Sequence, residues 1–178
     1  MITSFLKKEL IAHRGLHNKS IPENSIPAFK EAIKKNYIIE LDVHALKDGN
    51  VVVFHDDNLK RLTGFDKKIK DTTYDEIRNL RLNNTNNHIP LFKDVLKLVD
   101  GRVPLLIELK YDNKVGFLED KLINILNDYK GLYAFQSFSP FSLMYLKKYS
   151  NVPRGLLVSD FKNSKMFIIN FYIFIIYK

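Results

Sequence analysis

Short apolar runs alternate along this chain with stretches in which apolar residues recur at helical spacing. Residues 10–13 form an apolar run ending in polar residues, which predicts a strand. Ile26, Phe29 and Ile33, with Ala28 and Ala32 between them, predict a helix capped by Ser25 or Asn24, with Pro27 in its first turn. Residues 37–43 are rich in β-formers, Asp48-Gly49 marks a turn, and residues 51–54 are a second β-branched run. Thr73-x-x-Glu76 is a capping box opening a short helix through Leu80. Pro90 precedes a helix carrying Phe92, Val95, Leu96 and Val99, and residues 104–109 read as a strand. The next helix places Val115, Leu118, Leu122, Ile125, Leu126 and Tyr129 on one stripe. Residues 132–136 predict a strand, Ser139-Pro140 opens a helix with Leu143 and Leu146, and residues 155–158 predict a sixth strand.

Regular strand–helix alternation predicts an α/β fold with a parallel sheet and helices outside it. The long polar segment 57–87, with one short helix, reads as an insertion on a strand-to-helix loop. Residues 166–177 break the pattern: they are nearly all Ile, Phe, Tyr and Met and have neither helical nor alternating period. They fall short of the about 20 residues needed for a membrane-spanning helix. A final core strand, a membrane-surface patch, or the novel end of a frameshifted chain are the alternatives, and the last fits the composition best.

Composition narrows the chemistry. With 178 residues, 46% of them hydrophobic and 27% charged, the chain is long enough for one domain with a core and is not of disordered type. It contains no cysteine, so disulfides and thiolate metal sites are excluded and any metal must sit on Asp, Glu, His or carbonyl oxygens. The net charge of +8 suits an anionic substrate or surface, but the lysines are scattered and accompany many Asn, Ile, Phe and Tyr residues, which is compositional bias rather than a patch. No arginine-rich or aromatic-interleaved stretch points to nucleic acid. No hydrophobic region of a signal peptide follows Met1, which predicts a cytoplasmic protein.

Polar groups cluster at the ends of the expected strands: His13-Arg14-Gly15, Glu40 and Asp42, His55-Asp56, Glu108 and Lys110, Gln136-Ser137. In a parallel barrel such ends converge on one face. Glu40 and Asp42, two apart on a strand, share a side, and Ile39, Leu41 and Val43 take the other. Buried together, such carboxylates repel one another and require positive charge. With Glu108 they suggest a hard divalent cation, Mg²⁺ or Ca²⁺. The competing reading is a structural ion-pair network, but one Lys and one Arg do not balance three carboxylates and Asp56. His13 and His55 are placed to act as the acid and base that a phosphodiester displacement needs, with Arg14 neutralising charge on phosphate oxygens. His17, His44 and His88 read as loop or surface residues.

The ordered runs Ile11-Ala12-His13-Arg14-Gly15, Pro22-Glu23-Asn24-Ser25, Ile39-Glu40-Leu41-Asp42-Val43 and Val53-Phe54-His55-Asp56 resemble the signature of glycerophosphodiester phosphodiesterases. The likeness continues through Leu59-Lys60-Arg61-Leu62-Thr63-Gly64, Ile89-Pro90-Leu91-Phe92, Ile107-Glu108-Leu109-Lys110 and Gln136-Ser137-Phe138. The resemblance implies a TIM-like (β/α) barrel with a small insertion after the third strand. It implies hydrolysis of a small-molecule glycerophosphodiester to glycerol 3-phosphate and an alcohol. It also implies metal ligands at Glu40, Asp42 and Glu108, catalytic histidines at His13 and His55, phosphate contacts from Arg14 and Lys110, and support from Glu23 and Asn24, with Glu23 orienting Arg14.

A complete member of that family has two further strand–helix units, one with a Trp, whereas this chain has no tryptophan and its likeness stops at Asp160. A closed barrel of this kind usually takes about 250 residues. The expectation is therefore a C-terminally truncated barrel of about six of eight units over residues 1–160, followed by an apolar tail, 161–178. A lysophospholipase D-like activity, with membrane contact through the tail, and an inactive product of a disrupted gene are the alternatives.

Overall fold

The computed structural model describes residues 10–111 and 114–158, together with the backbone of Phe174 and Ile175. Strand β1 (Ile11–Ala12) leads through a polar turn into helix α1 (Ile26–Lys34). Ser25 caps α1, its hydroxyl accepting from Ala28 N at 3.4 Å. Strand β2 (Ile38–Ala45) is buried along its whole length, and β3 (Val51–Val53) follows after a tight turn. Then come the short helices α2 (Lys60–Thr63) and α3 (Tyr74–Ile77), the latter held by the expected capping box, in which Thr73 N donates to Glu76 Oε2 at 2.8 Å. Helix α4 (Phe92–Val99), strand β4 (Leu105–Leu109), helix α5 (Phe117–Leu126), strand β5 (Tyr133–Ser137), helix α6 (Pro140–Tyr149) and strand β6 (Arg154–Leu156) complete the alternation. A last short strand, β7 (Phe174–Ile175), pairs antiparallel with β6; the rest of the expected tail lies outside the described residues.

Strands β1, β2, β4, β5 and β6 are parallel neighbours in that order, the layout of a TIM-like barrel wall with helices on its outer face. The helix-facing core is built from Ile39, Leu41 and Val43 of β2, Leu105, Ile107 and Leu109 of β4, and the buried faces of α1, α4 and α5. The opposite face of the sheet is layered. Ile38, Leu106 and Ala134 close its lower end with a small apolar cluster. Above them, register places Asp42 beside Glu108 and Glu108 beside Gln136, so three neighbouring strands present polar side chains at one level.

One expected strand differs in direction. β3 runs antiparallel to β2, with Val43 opposite Val53 and Ala45 opposite Val51. Only residues 46–50 separate the two strands, whereas a parallel return needs a crossover of about a dozen residues. Val43 also pairs with Leu109 of β4, so β3 occupies the other edge of β2, the one that β1 uses lower down. The segment between β3 and α4 has its own core, in which Leu59, Leu62, Ile69, Ile77 and Leu82 pack on Leu46, Val52 and Phe54. Among the described residues no helix is long and apolar enough to cross a membrane.

Candidate active site

The turn after β1 is shaped to reach β2. Arg14 adopts φ 56°, and its backbone N–H donates to Glu40 Oε2 at 2.8 Å. Gly15, at φ 77°, has no room for a side chain, since a Cβ would stand 2.9 Å from Ala28 Cβ. The Arg14 guanidinium meets Glu23 Oε1 at 2.9 Å and lies 3.7 Å from Asp42 Oδ2. Asn24, buried and at φ 51°, donates from Nδ2 to Asp42 Oδ2 at 2.7 Å.

Glu40, Asp42 and Glu108 each turn a carboxylate oxygen into one small region, the three atoms lying within 4.8 Å of one another, and all three residues are buried. Two oxygens on one ion can be no farther apart than twice the metal–oxygen distance, about 4.2 Å for Mg²⁺ and about 5 Å for Ca²⁺, so the spacing suits a single hard cation, Ca²⁺ as it stands and Mg²⁺ with the oxygens drawn slightly closer. Gln136 Nε2 donates to Glu40 Oε1 at 3.2 Å and to Glu108 Oε2 at 3.4 Å. Lys110 Nζ stands 2.8 Å from Asp42 Oδ1 and contacts Glu108 Oε1. Asp42 Oδ1 is nevertheless buried without an aligned hydrogen bond, which leaves a lone pair for a ligand.

The electrostatics show a site short of positive charge. Burial, and then the neighbouring Asp42 charge, pushes the Glu40 carboxyl well above its ordinary range. Burial also raises Glu108, although Lys110 opposes it. Burial alone would lower the Lys110 ammonium, but Asp42 and Glu108 outweigh it and hold the group above its usual value. A bound cation would supply the charge these groups lack.

The two expected catalytic imidazoles lie on the same edge of β2. His13 follows β1, and His55 follows β3 as that strand returns to the level of Asp42, where Phe54 N donates to Asp42 O at 3.0 Å. His13 is lowered by desolvation and by Arg14, with the nearby His55 contributing in the same direction. His55 reaches the site from an antiparallel strand, not from the C-terminal end of a parallel one. His55 Nδ1 pairs with Asp56 Oδ1 at 2.7 Å, and Arg61 pairs with Asp56 Oδ2 at 2.5 Å and with Glu23 Oε1 at 2.6 Å.

His17 and His88 are exposed, but His44 is not a surface residue. It continues the i, i+2 series of Glu40 and Asp42 on β2, and its Nε2 donates to the His55 carbonyl at 3.3 Å. Burial pulls its pKa down to about 4, so it stays neutral near neutral pH. Strand periodicity alone would have assigned it to the site face. Asp56 and Gln136 were expected at converging strand ends, but their partners, and the role of Arg61, depend on which strands and loops become neighbours.

The sequence profile of the Glycerophosphoryl diester phosphodiesterase family matches residues 13–168 of this chain, past Asp160 where the motif-by-motif likeness ends. The chain belongs to that family. It is 34% identical over 155 residues to a glycerophosphodiester phosphodiesterase of Caldanaerobacter subterraneus, covering 80% of this chain and 63% of that protein. It is 37% identical over 124 residues to human lysophospholipase D GDPD1, covering 62% of this chain and 38% of that protein. Among solved structures it superposes on the glycerophosphodiester phosphodiesterase of Thermotoga maritima with a TM-score of 0.69 at 33% identity, covering 88% of this chain and 64% of that one. It superposes on an Oleispira antarctica phosphodiesterase, solved with the product sn-glycerol-3-phosphate, with a TM-score of 0.76 at 28% identity, covering 88% of this chain and 68% of that one. The chain thus spans less than two thirds of the length of these two curated members of the family.

Proposed function

We propose that this member of the family is a divalent-metal-dependent hydrolase of glycerophosphodiesters, yielding glycerol 3-phosphate and an alcohol. The observation that carries this reading is the meeting of Glu40, Asp42 and Glu108 within 4.8 Å of one another, beside Lys110 and Arg14. Glu40, Asp42 and Glu108 would hold Mg²⁺ or Ca²⁺, which supplies positive charge against the non-bridging phosphate oxygens. Arg14 and Lys110 bind the same phosphate, with Glu23 and Asn24 fixing Arg14 and Asp42. Of His13 and His55, one imidazole takes a proton from the attacking water and the other gives a proton to the leaving oxygen. A P–O bond forms to the water oxygen, and the P–O bond to the alcohol breaks. Neutral imidazole is the required form of the base, and the lowered pKa of His13 favours it near neutral pH.

The test is release of choline from glycerophosphocholine with Mg²⁺ or Ca²⁺, by the wild-type chain and by His13→Ala and Glu40→Ala. Turnover that is lost in both variants supports the reading. Equal turnover in all three removes it.

Lysophospholipids are a second substrate class to measure, because human lysophospholipase D GDPD1 is a relative and because Tyr111 and Phe138 are exposed just beyond β4 and β5. Apolar surface next to Lys110 and Gln136 suits an acyl chain. Faster turnover of lysophosphatidylcholine than of glycerophosphocholine would favour that class.

A further inference from the structure

The hydrolase reading uses Arg14 and His55 but leaves unexplained the guanidinium that stands between their partners. Arg61 lies on α2, in the segment with its own apolar core. Leu59 and Leu62 are buried in that core on either side of it. Thr63 Oγ1 ties back to Leu59 O at 2.8 Å, Gly64 ends the helix at φ 76°, and Asn58 Oδ1 accepts from Lys60 N at 2.9 Å. These contacts anchor a helix of one turn, and with it the position of one side chain.

That side chain is used at both ends. Arg61 Nε and Nη2 grip Asp56 at 2.5 and 3.0 Å, one hydrogen bond to each oxygen. Nη2 and Nη1 also reach Glu23, at 2.6 and 3.3 Å. Glu23 in turn holds Arg14 at 2.9 Å, and Asp56 holds His55 Nδ1 at 2.7 Å. Charges therefore alternate along a continuous path from Arg14 through Glu23 and Arg61 to Asp56, which meets the His55 ring at Nδ1. Burial would raise both carboxyls, but their hydrogen bonds outweigh it: both are held below the ordinary range, Glu23 by Arg61 and Arg14, and Asp56 by Arg61 and His55.

An exposed ion pair by itself contributes little. Arg61 differs from such a pair because its planar fork bridges two carboxylates that each orient a different group, a geometry lysine cannot reproduce. We propose that Arg61 is a positioning residue that fixes Arg14 and the His55 imidazole relative to one another through Glu23 and Asp56. The inference rests on the hydrolase reading for its kinetic consequence, but its structural consequence is independent of it. With Asp56 held by Arg61 as an acceptor, the hydrogen bond favours the His55 tautomer that carries its proton on Nδ1, which leaves Nε2 as the ring's lone-pair nitrogen.

The test compares wild type, Arg61→Ala, Arg61→Lys and, as a control on the same helix, Lys60→Ala, whose ammonium pairs with Asp66 instead. Two readouts are needed: kcat and KM for glycerophosphocholine with Mg²⁺, and the ring ¹⁵N shifts of His55, which report the tautomer without turnover. Misplacing both groups lowers kcat/KM in Arg61→Ala by about ten- to a hundredfold, with KM raised and kcat reduced. His55 should then become a mixture of tautomers, Arg61→Lys should recover only part of the loss, and Lys60→Ala should match wild type. A loss confined to the melting temperature overturns the proposal, as does reduced turnover with KM and the His55 tautomer unchanged. If the wild-type chain turns over no glycerophosphodiester, the hydrolase reading fails and the His55 ring spectrum alone decides whether Arg61 positions it.

Discussion

Asn24 offers a sharp test of how the site is held together. Its side-chain amide donates to Asp42 Oδ2 at 2.7 Å, and both residues are only 1% exposed. Asn24→Ala removes a hydrogen bond to a buried carboxylate, which costs about 1.5–3 kcal/mol. It also places alanine at φ 51°, in the left-handed region, at a further cost of about 1 kcal/mol. Asn24→Gly removes the same amide without that strain, but frees the unfolded chain by about 0.5–1 kcal/mol. The two variants should therefore both lose about 2–4 kcal/mol and agree to within about 1 kcal/mol, which isolates the amide as the common cause. For a domain of this size each kcal/mol corresponds to a fall in melting temperature of about 2–4 °C. Urea unfolding of the metal-free protein gives the free energies directly. If Asn24→Gly is as stable as wild type to within about 0.5 kcal/mol, Asn24 does not hold Asp42 and the reasoning fails.

Gly15→Ala should destabilise by about 2–4 kcal/mol in the same assay, because its Cβ would stand 2.9 Å from Ala28 Cβ and its φ is 77°; a neutral substitution would mean that the turn bearing His13 and Arg14 is free to shift. The metal-free protein should lose stability as pH rises above the ordinary glutamate range, because burial lifts Glu40 and Glu108 and the folded state there binds more protons than the unfolded chain. Glu40→Gln should flatten that dependence in melts recorded across pH, and an unchanged slope would show that Glu40 does not carry it.

Much of this architecture is written in local pattern. The period-two run of β2 separates Ile39, Leu41 and Val43 from Glu40 and Asp42, and the structure places the two sets on opposite faces of the sheet. Helices α1, α4 and α6 begin where their Pro and capping signals put them. The direction of β3 was legible too, in the short spacer after Ala45, but strand–helix alternation read without loop length suggested a parallel strand. His44 was hidden by its type rather than its position, since its place two residues after Asp42 assigns it to the site face. The Arg61 bridge was not legible at all. Glu23 and Arg61 are 38 residues apart, and they meet only because the segment after β3 folds its own apolar core beside the rim of the sheet.

The central claim is that Glu40, Asp42 and Glu108 form one site for a divalent cation, and calorimetric titration of Mg²⁺ or Ca²⁺ into the full chain tests it most directly. The account predicts saturable binding of one ion per chain, abolished in Glu40→Gln and in Glu108→Gln although both variants remain folded. Absence of binding to the wild-type protein, or undiminished binding to the two variants, would contradict it.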